Sequence, residues 1–197
     1  MSTTKLSEVY QKRAMYKMTL YKGRPLTNEG REDREIRVYD YLDSLGIEYY
    51  RVDHDSVFSD NECEAVERVL DNVICKNIFL CNRQKTSYYM LVMPAHKRFN
   101  TSRVSHLLNS SRLSFGTPED MLALLDVTPG SVSIMALMND RENRVQLVID
   151  DELLQHSDFG CHPCKNTSSL RLKRTDVFDK VLPSVNHTPI YLTLTEE

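Results

Sequence analysis

The sequence predicts an α+β fold, a mixed, largely antiparallel sheet with flanking helices. Three observations predict it. Strand-like apolar runs alternate irregularly with segments of helical period, not in a regular strand–helix order. At least two pairs of runs are joined by short polar turns and read as direct hairpins. Composition is ordinary for a globular domain, with 41% hydrophobic and 27% charged residues over 197 positions. A chain of that length buries a sizeable core without disulfide or metal staples.

Taken in order, residues 1–30 show only patchy periodicity and read as a basic N-terminal arm, with one domain over 31–197. Ile36, Val38, Tyr41, Leu42 and Leu45 recur at helical spacing, and Gly46 supplies the stop. Residues 47–54 (IEYYRVDH) then read as a strand. Ser59 and Glu62 have the spacing of a capping box, opening a helix through Leu70 whose buried face includes Cys63, Val66 and Leu70. VICKNIFLCN (73–82) and SYYMLVMP (87–94) form a hairpin across the polar RQKT. A short helix over 102–109 leads into RLSF as a strand. Thr117 and Pro118 start a further helix that runs to about Leu125, with proline at the first helical position and acids in the first turn. After Pro129-Gly130, SVSIMALM and VQLVID read as a second hairpin. DFGCHPCKN is expected as a loop, SSLRLK as a strand, DVFDKVL as a short helix capped by Thr175, and IYLTL as the last strand.

Charge and motif content remove several function classes. Net charge is −3, which argues against a protein that coats nucleic acid. The charge is unevenly placed: residues 1–34 carry eight Lys/Arg against four acids, so this end is +4 and the remainder −7. A basic arm on an acidic body tracks phosphates or is simply a solvated extension. No apolar run approaches the roughly 20 residues of a membrane span, so no membrane association is expected. The N-terminus lacks the apolar stretch of a secretory signal, and the cytoplasm is the expected address. Five cysteines, an odd number, read as reduced thiols. Phosphate-loop, dinucleotide, zinc-protease and nucleophile-elbow motifs are missing.

Three features remain. Lys76 and Asn77 interrupt an otherwise apolar strand; alternation sends Lys76, Ile78 and Leu80 to one face and Cys75, Asn77, Phe79 and Cys81 to the other. A desolvated lysine is costly without a purpose, although a sheet-edge lysine reaching solvent gives the same pattern. Gly130, Ser131, Val132 and Ser133 form a glycine turn feeding a strand; consecutive N–H groups there bind a phosphate or carbonyl oxygen, or the segment is an ordinary turn. Cys161-His162-Pro163-Cys164 invites a zinc or thiol-redox reading, but no second pair of ligands accompanies it. His162 as a pocket residue on a loop is the better reading, and the remaining histidines (His54, His96, His106, His156, His187) need only surface or helix-face positions.

KNIFLCN, YYMLVMP, RLSFGTPEDML, PGSVS, ALMND, VQLVIDDELL and CHPCKNTSSL, taken together and in this order, resemble the YbaK/ProX-type aminoacyl-tRNA editing domains. Within these the chain is similar to the free-standing prolyl-tRNA deacylases related to the editing insertion of bacterial prolyl-tRNA synthetase. The resemblance covers roughly residues 35–195. It implies a trans-editing hydrolase that cleaves the ester of mischarged tRNA, alanyl-tRNA(Pro) first among substrates. The implied partners are the tRNA acceptor end and prolyl-tRNA synthetase. It maps the family's strand lysine onto Lys76 as the catalytic residue, its neighbouring asparagine onto Asn77, the GxxxP glycine loop onto Gly130–Ser133, and the HP...NT segment onto His162, Pro163, Asn166 and Thr167. The loop proline is replaced by Ile134, which removes a fixed φ and keeps open a second reading, a catalytically inactive homologue that binds aminoacyl-tRNA. An aminoacyl ester is already activated, so its hydrolysis requires neither metal nor cofactor, and none is expected. Lys76 is expected to act as a charge, with His162 shaping the pocket or orienting water.

Overall fold

Nine strands and the helices between them are seen in a computed structural model that describes residues 18–56 and 60–195. In chain order the strands are β1 (Leu20–Lys22), β2 (Tyr49–Asp53), β3 (Cys75–Asn82), β4 (Tyr88–Pro94), β5 (Leu113–Phe115), β6 (Val145–Asp150), β7 (Asp158–Cys161), β8 (Ser168–Lys173) and β9 (Ile190–Leu192). They form a four-stranded sheet of order β1-β2-β8-β7 and a five-stranded sheet of order β5-β3-β4-β6-β9. Five of these pairs are antiparallel, and β6 is parallel to both β4 and β9. The α+β expectation of a mixed, largely antiparallel architecture therefore holds, divided between two sheets.

The helix α1 (Asp33–Ser44) carries Asp33 and Glu35 in its first turn and buries Val38, Tyr39 and Leu42. It ends at Gly46, whose N–H donates to the Asp43 carbonyl while Ile47 N–H reaches Leu42. The helix α2 (Asp60–Leu70) packs Val66 and Leu70 against Val52 of β2 and Ile74. Cys63 is only half-buried, not a core residue as its periodicity predicts, and Ser59, the expected cap, lies outside the described residues. The helices α3 (Thr101–Leu107) and α4 (Pro118–Leu125) follow; α4 starts on a capping box in which Thr117 and Asp120 satisfy each other's backbone N–H.

β4, and β3 apart from Lys76 and Asn77, read as apolar runs because the five-stranded sheet is covered on both faces. Cys75, Phe79 and Cys81 enter a large cluster with Tyr39, Leu42, Met90, Val132, Ile134 and Cys161. Leu80 and the partly buried Ile78 join a second cluster with Leu91, Met93, Val104 and Leu192. The alternation expected along β3 is the one observed.

The chain departs from expectation at four places. SVSIMALM is not a strand: residues 131–133 are irregular and Ile134–Asn139 form a 3₁₀ helix, so β6 pairs in parallel with β4 and not with this segment. Ile134, Met135, Ala136 and Leu137 are all at most 1% exposed, and a short run buried on every side carries no period to distinguish strand from helix. Part of the expected loop 158–166 is instead β7, antiparallel to β8. Thr175 lies inside its helix, not at the cap: α5 begins at Arg174–Asp176, passes through a π turn at Val177–Val181 and ends at Leu182–Ser184. Finally, β1 lies within the stretch read as an arm and pairs with β2 as the edge strand of its sheet. A three-residue edge strand leaves no periodic signal.

A single bridge between Ile74 and Gly160 joins the two sheets. A Cβ at Gly160 would sit 2.3 Å from the Val73 carbonyl oxygen, so only glycine permits this approach. Among the described residues, no helix is long and apolar enough to cross a membrane.

Candidate active site

Thr128 to Ser131 form a tight turn, closed by Ser131 N–H donating to Thr128 at 2.9 Å. Pro129 supplies the first central position and Gly130, at φ +81°, the left-handed second one, the requirement of a type II turn. From Gly130 the chain dives inward: Ser131 and Val132 are 7% exposed and Ser133 is fully buried. Ser133 Oγ accepts the Met135 N–H at 3.3 Å and donates to the His162 carbonyl at 2.6 Å. One hydroxyl thus starts the 3₁₀ helix and fastens the glycine loop to the turn between β7 and β8. Ile134 occupies the first position of that helix, where no backbone N–H is needed and proline is favoured. The same start is reached here with a buried isoleucine.

His162 faces this loop. Burial first and the neighbouring His54 second push its imidazole pKa down to about 4, with only the Val132 backbone carbonyl opposing them. The ring is therefore neutral at physiological pH, and its Nδ1 is buried without a hydrogen-bond partner among the described residues. Asn77 presents a second buried, unpartnered acceptor, Oδ1, on the face of β3 that carries Cys75 and Phe79. Val132 and Ser133 N–H groups likewise donate to no acceptor among the described residues.

Lys76 leaves β3 on the opposite face. Its Nζ donates to the Ala95 carbonyl at 3.0 Å and to that of Lys97, so the ammonium is seated at the turn following β4. The structure thus brings Gly130–Ser133 together with His162, and sets Lys76 and Asn77 on the two sides of the start of β3.

Sequence reasoning passed over several residues around this site. His54 is no surface histidine: half-buried at the end of β2, it bonds Ser169 Oγ at 2.9 Å and the Asp55 carbonyl at 2.8 Å, and burial lowers its pKa despite the nearby acids. His187 is also buried, bonded to Asp140 at 3.1 Å and to the Val185 carbonyl at 2.7 Å. Lys97, which carries no signal in the sequence, is 7% exposed and ion-paired with Asp150 at 2.7 Å and Glu152 at 2.8 Å. No local pattern marks these residues, since the side chains they meet (Ser169, Asp140, Asp150 and Glu152) lie far along the chain.

The three cysteines beside the site are core residues. Cys75, Cys161 and Cys164 are buried, and burial pushes their thiols up, Cys164 to about 12. They remain protonated at neutral pH and are poor nucleophiles or metal ligands in that state. Among the described residues, no group of three or more His, Cys, Asp or Glu side chains is placed to hold a metal.

Residues 54–180 match the family model described as an aminoacyl-tRNA editing domain. The chain is 27% identical over 156 residues to a prolyl-tRNA editing protein, ProX, of Acetoanaerobium sticklandii, covering 79% of this chain and 94% of that one. It is 29% identical over 164 residues to a prolyl-tRNA synthetase associated domain-containing protein of Danio rerio, covering 82% and 88%. Among solved structures, a candidate trans-editing enzyme for prolyl tRNA synthetase superposes with TM-score 0.59 at 13% identity, covering 83% of this chain and 99% of that one. A hypothetical protein, APE2540, superposes with TM-score 0.58 at 15% identity over 79% and 96%. At these identities the superpositions speak for the fold.

Proposed function

Because the chain belongs to the aminoacyl-tRNA editing domain family, we propose that it is a trans-editing deacylase, hydrolysing the ester between a wrong amino acid and tRNA, with alanyl-tRNA(Pro) as its substrate. The observation that carries this reading is the buried glycine loop. The Val132 and Ser133 N–H groups meet no acceptor among the described residues, and their loop is fixed by the Ser133–His162 bond beside a neutral imidazole. Ester hydrolysis needs a developing oxyanion stabilised and a water held in place, and preorganised N–H groups in a desolvated site supply the first. Water adds to the ester carbonyl, the bond to the ribose oxygen breaks, and that oxygen leaves with a proton as the 3′-hydroxyl. The products are free amino acid and uncharged tRNA.

His162 Nδ1 and Asn77 Oδ1 are acceptors suited to a water or to the substrate's ammonium group. Lys76, on the other face of β3, acts in this reading as a fixed positive charge toward the 3′-terminal nucleotide. Selectivity follows from size. A synthetic site built for proline rejects the smaller alanine weakly, by about 1–3 kcal/mol per missing methylene, and a second, smaller pocket restores the discrimination.

The deciding experiment compares deacylation of alanyl-, seryl-, cysteinyl- and prolyl-tRNA(Pro) by the wild-type protein and by Lys76→Ala. Loss of alanine that depends on Lys76, with prolyl-tRNA(Pro) spared, is the expected result. Hydrolysis of a different ester moves the substrate and keeps the class. Survival of every ester overturns the enzyme reading in favour of a binding module. We also propose that the basic residues before β1 add sequence-independent tRNA affinity: removing residues 1–17 weakens binding and flattens its salt dependence, and unchanged affinity refutes this.

A further inference from the structure

We infer that Lys97, clamped by Asp150 and Glu152, is the positioning residue that fixes the Lys76 ammonium; the inference rests on the proposed role of Lys76. The two carbonyls that accept from Lys76 Nζ belong to Ala95 and Lys97, in the turn that leaves β4. That turn is tied at its start by Ala95 N–H donating to Ile74 and by Lys97 N–H donating to Pro94. Its far side is held by the Lys97 side chain, which runs inward to Asp150, a fully buried residue at the end of β6. Both Asp150 oxygens are engaged, Oδ2 by Lys97 at 2.7 Å and Oδ1 by the Glu152 N–H at 3.2 Å. Glu152 closes the other side of the ammonium at 2.8 Å. Burial draws the Lys97 pKa down, but the two carboxylates outweigh it and leave the group above its ordinary value.

A buried ion pair of this kind is an inefficient stabiliser, because well-packed apolar residues of similar volume hold a fold as well or better. What it does that an apolar pair does not is fix the direction of one side chain, and with it the carbonyl on the same residue. Here that carbonyl is a direct acceptor of Lys76, so the buried pair on β6 sets the place of a charge on β3. The two lysines form a relay: Asp150 and Glu152 hold the Lys97 side chain, and the Lys97 main chain holds Lys76.

The test uses the full chain with Lys97→Met/Asp150→Asn, which nearly keeps the volume, leaves an acceptor for the Glu152 N–H and removes the ion pair. Its readouts are the thermal midpoint, kcat and KM on alanyl-tRNA(Pro), and the labelling of Lys76 by an amine-acylating reagent followed by mass spectrometry. The expected result is an unchanged or higher midpoint, a fall in kcat of about tenfold or more with KM steady, and faster Lys76 labelling. The single variant Lys97→Arg, which restores the clamp, retains most of the kcat. A double variant with wild-type kcat and wild-type labelling overturns the inference. If the double variant does not fold, Glu152→Gln decides: a kcat loss of about threefold supports the clamp and an unchanged kcat overturns it. Lys76→Ala separates the two levels, since full activity in that variant refutes the role of Lys76 itself, while Lys76 labelling in the clamp double variant still reports whether the clamp orders its amine.

Discussion

Acid is the perturbation that reads the His162 environment most directly. The imidazole titrates near its ordinary 6.5 in the unfolded chain and at about 4 in the folded one. Between those values the unfolded state binds a proton that the folded state refuses, so stability falls as pH drops from 6.5 to about 4 and levels off below. One proton corresponds to about 1.4 kcal/mol per pH unit, which gives an upper figure of roughly 3 kcal/mol over the window. Partial solvent access to the half-buried ring brings the working figure to about 2 kcal/mol. The assay is urea unfolding at pH 7, 6, 5 and 4.5, on the wild type and on His162→Gln. Glutamine keeps polarity without titrating, so the variant should lose less stability than the wild type across these steps. His54, whose pKa is also lowered by burial, contributes in the same window and survives in the variant, so some slope remains. Asp120, held down to about 2 by Lys85 and Thr117, is lost only at lower pH and does not interfere. Parallel curves for the two proteins would refute the reasoning, because a ring that protonates equally in both states is not shielded and does not present a neutral acceptor.

Other perturbations follow from the same geometry. Ser133→Ala removes both the 2.6 Å bond to His162 and the acceptor for Met135 N–H; a loss of about 1–2 kcal/mol is expected in urea unfolding, with kcat falling more than KM changes. Gly116→Ala places a Cβ 2.3 Å from Phe79 Cδ1 in the core; the overpacking should cost about 1–3 kcal/mol, and a thermal midpoint equal to wild type would contradict it. Thr117→Ala breaks the capping box of α4 and should cost about 1 kcal/mol, measurable by the same unfolding series.

The elements legible in the sequence are those whose signals are local. α1 shows its stripe and its glycine stop, and α4 its capping box and N-terminal proline. The β3–β4 hairpin is written in two apolar runs around RQKT, and even the alternation along β3 is correct. Long-range pairing is not written locally. Nothing in VQLVID says that it joins β4 in parallel, and a Pro-Gly break before an apolar run is as compatible with a 3₁₀ helix as with a hairpin. Ile134 shows the difficulty well, since its complete burial is what erased the pattern. At the site, the two segments singled out, 130–133 and the turn at His162, meet through one hydroxyl. His54, Lys97 and Asp150 stayed hidden because each takes its meaning from a partner more than fifty residues away.

The bridge at Gly160 has a mechanical consequence. It locks the entry of β3 to β7 through a backbone contact in which no side chain intervenes, and the chain continues from there to Lys76 on one strand and to His162 on the other. Two sheets joined in this way cannot shear past one another at that point. Residues 74–77 and 160–162 are thereby tied into one frame, and if the chain is the proposed deacylase, the side chains and turns around that frame are the parts that yield to an incoming 3′ end.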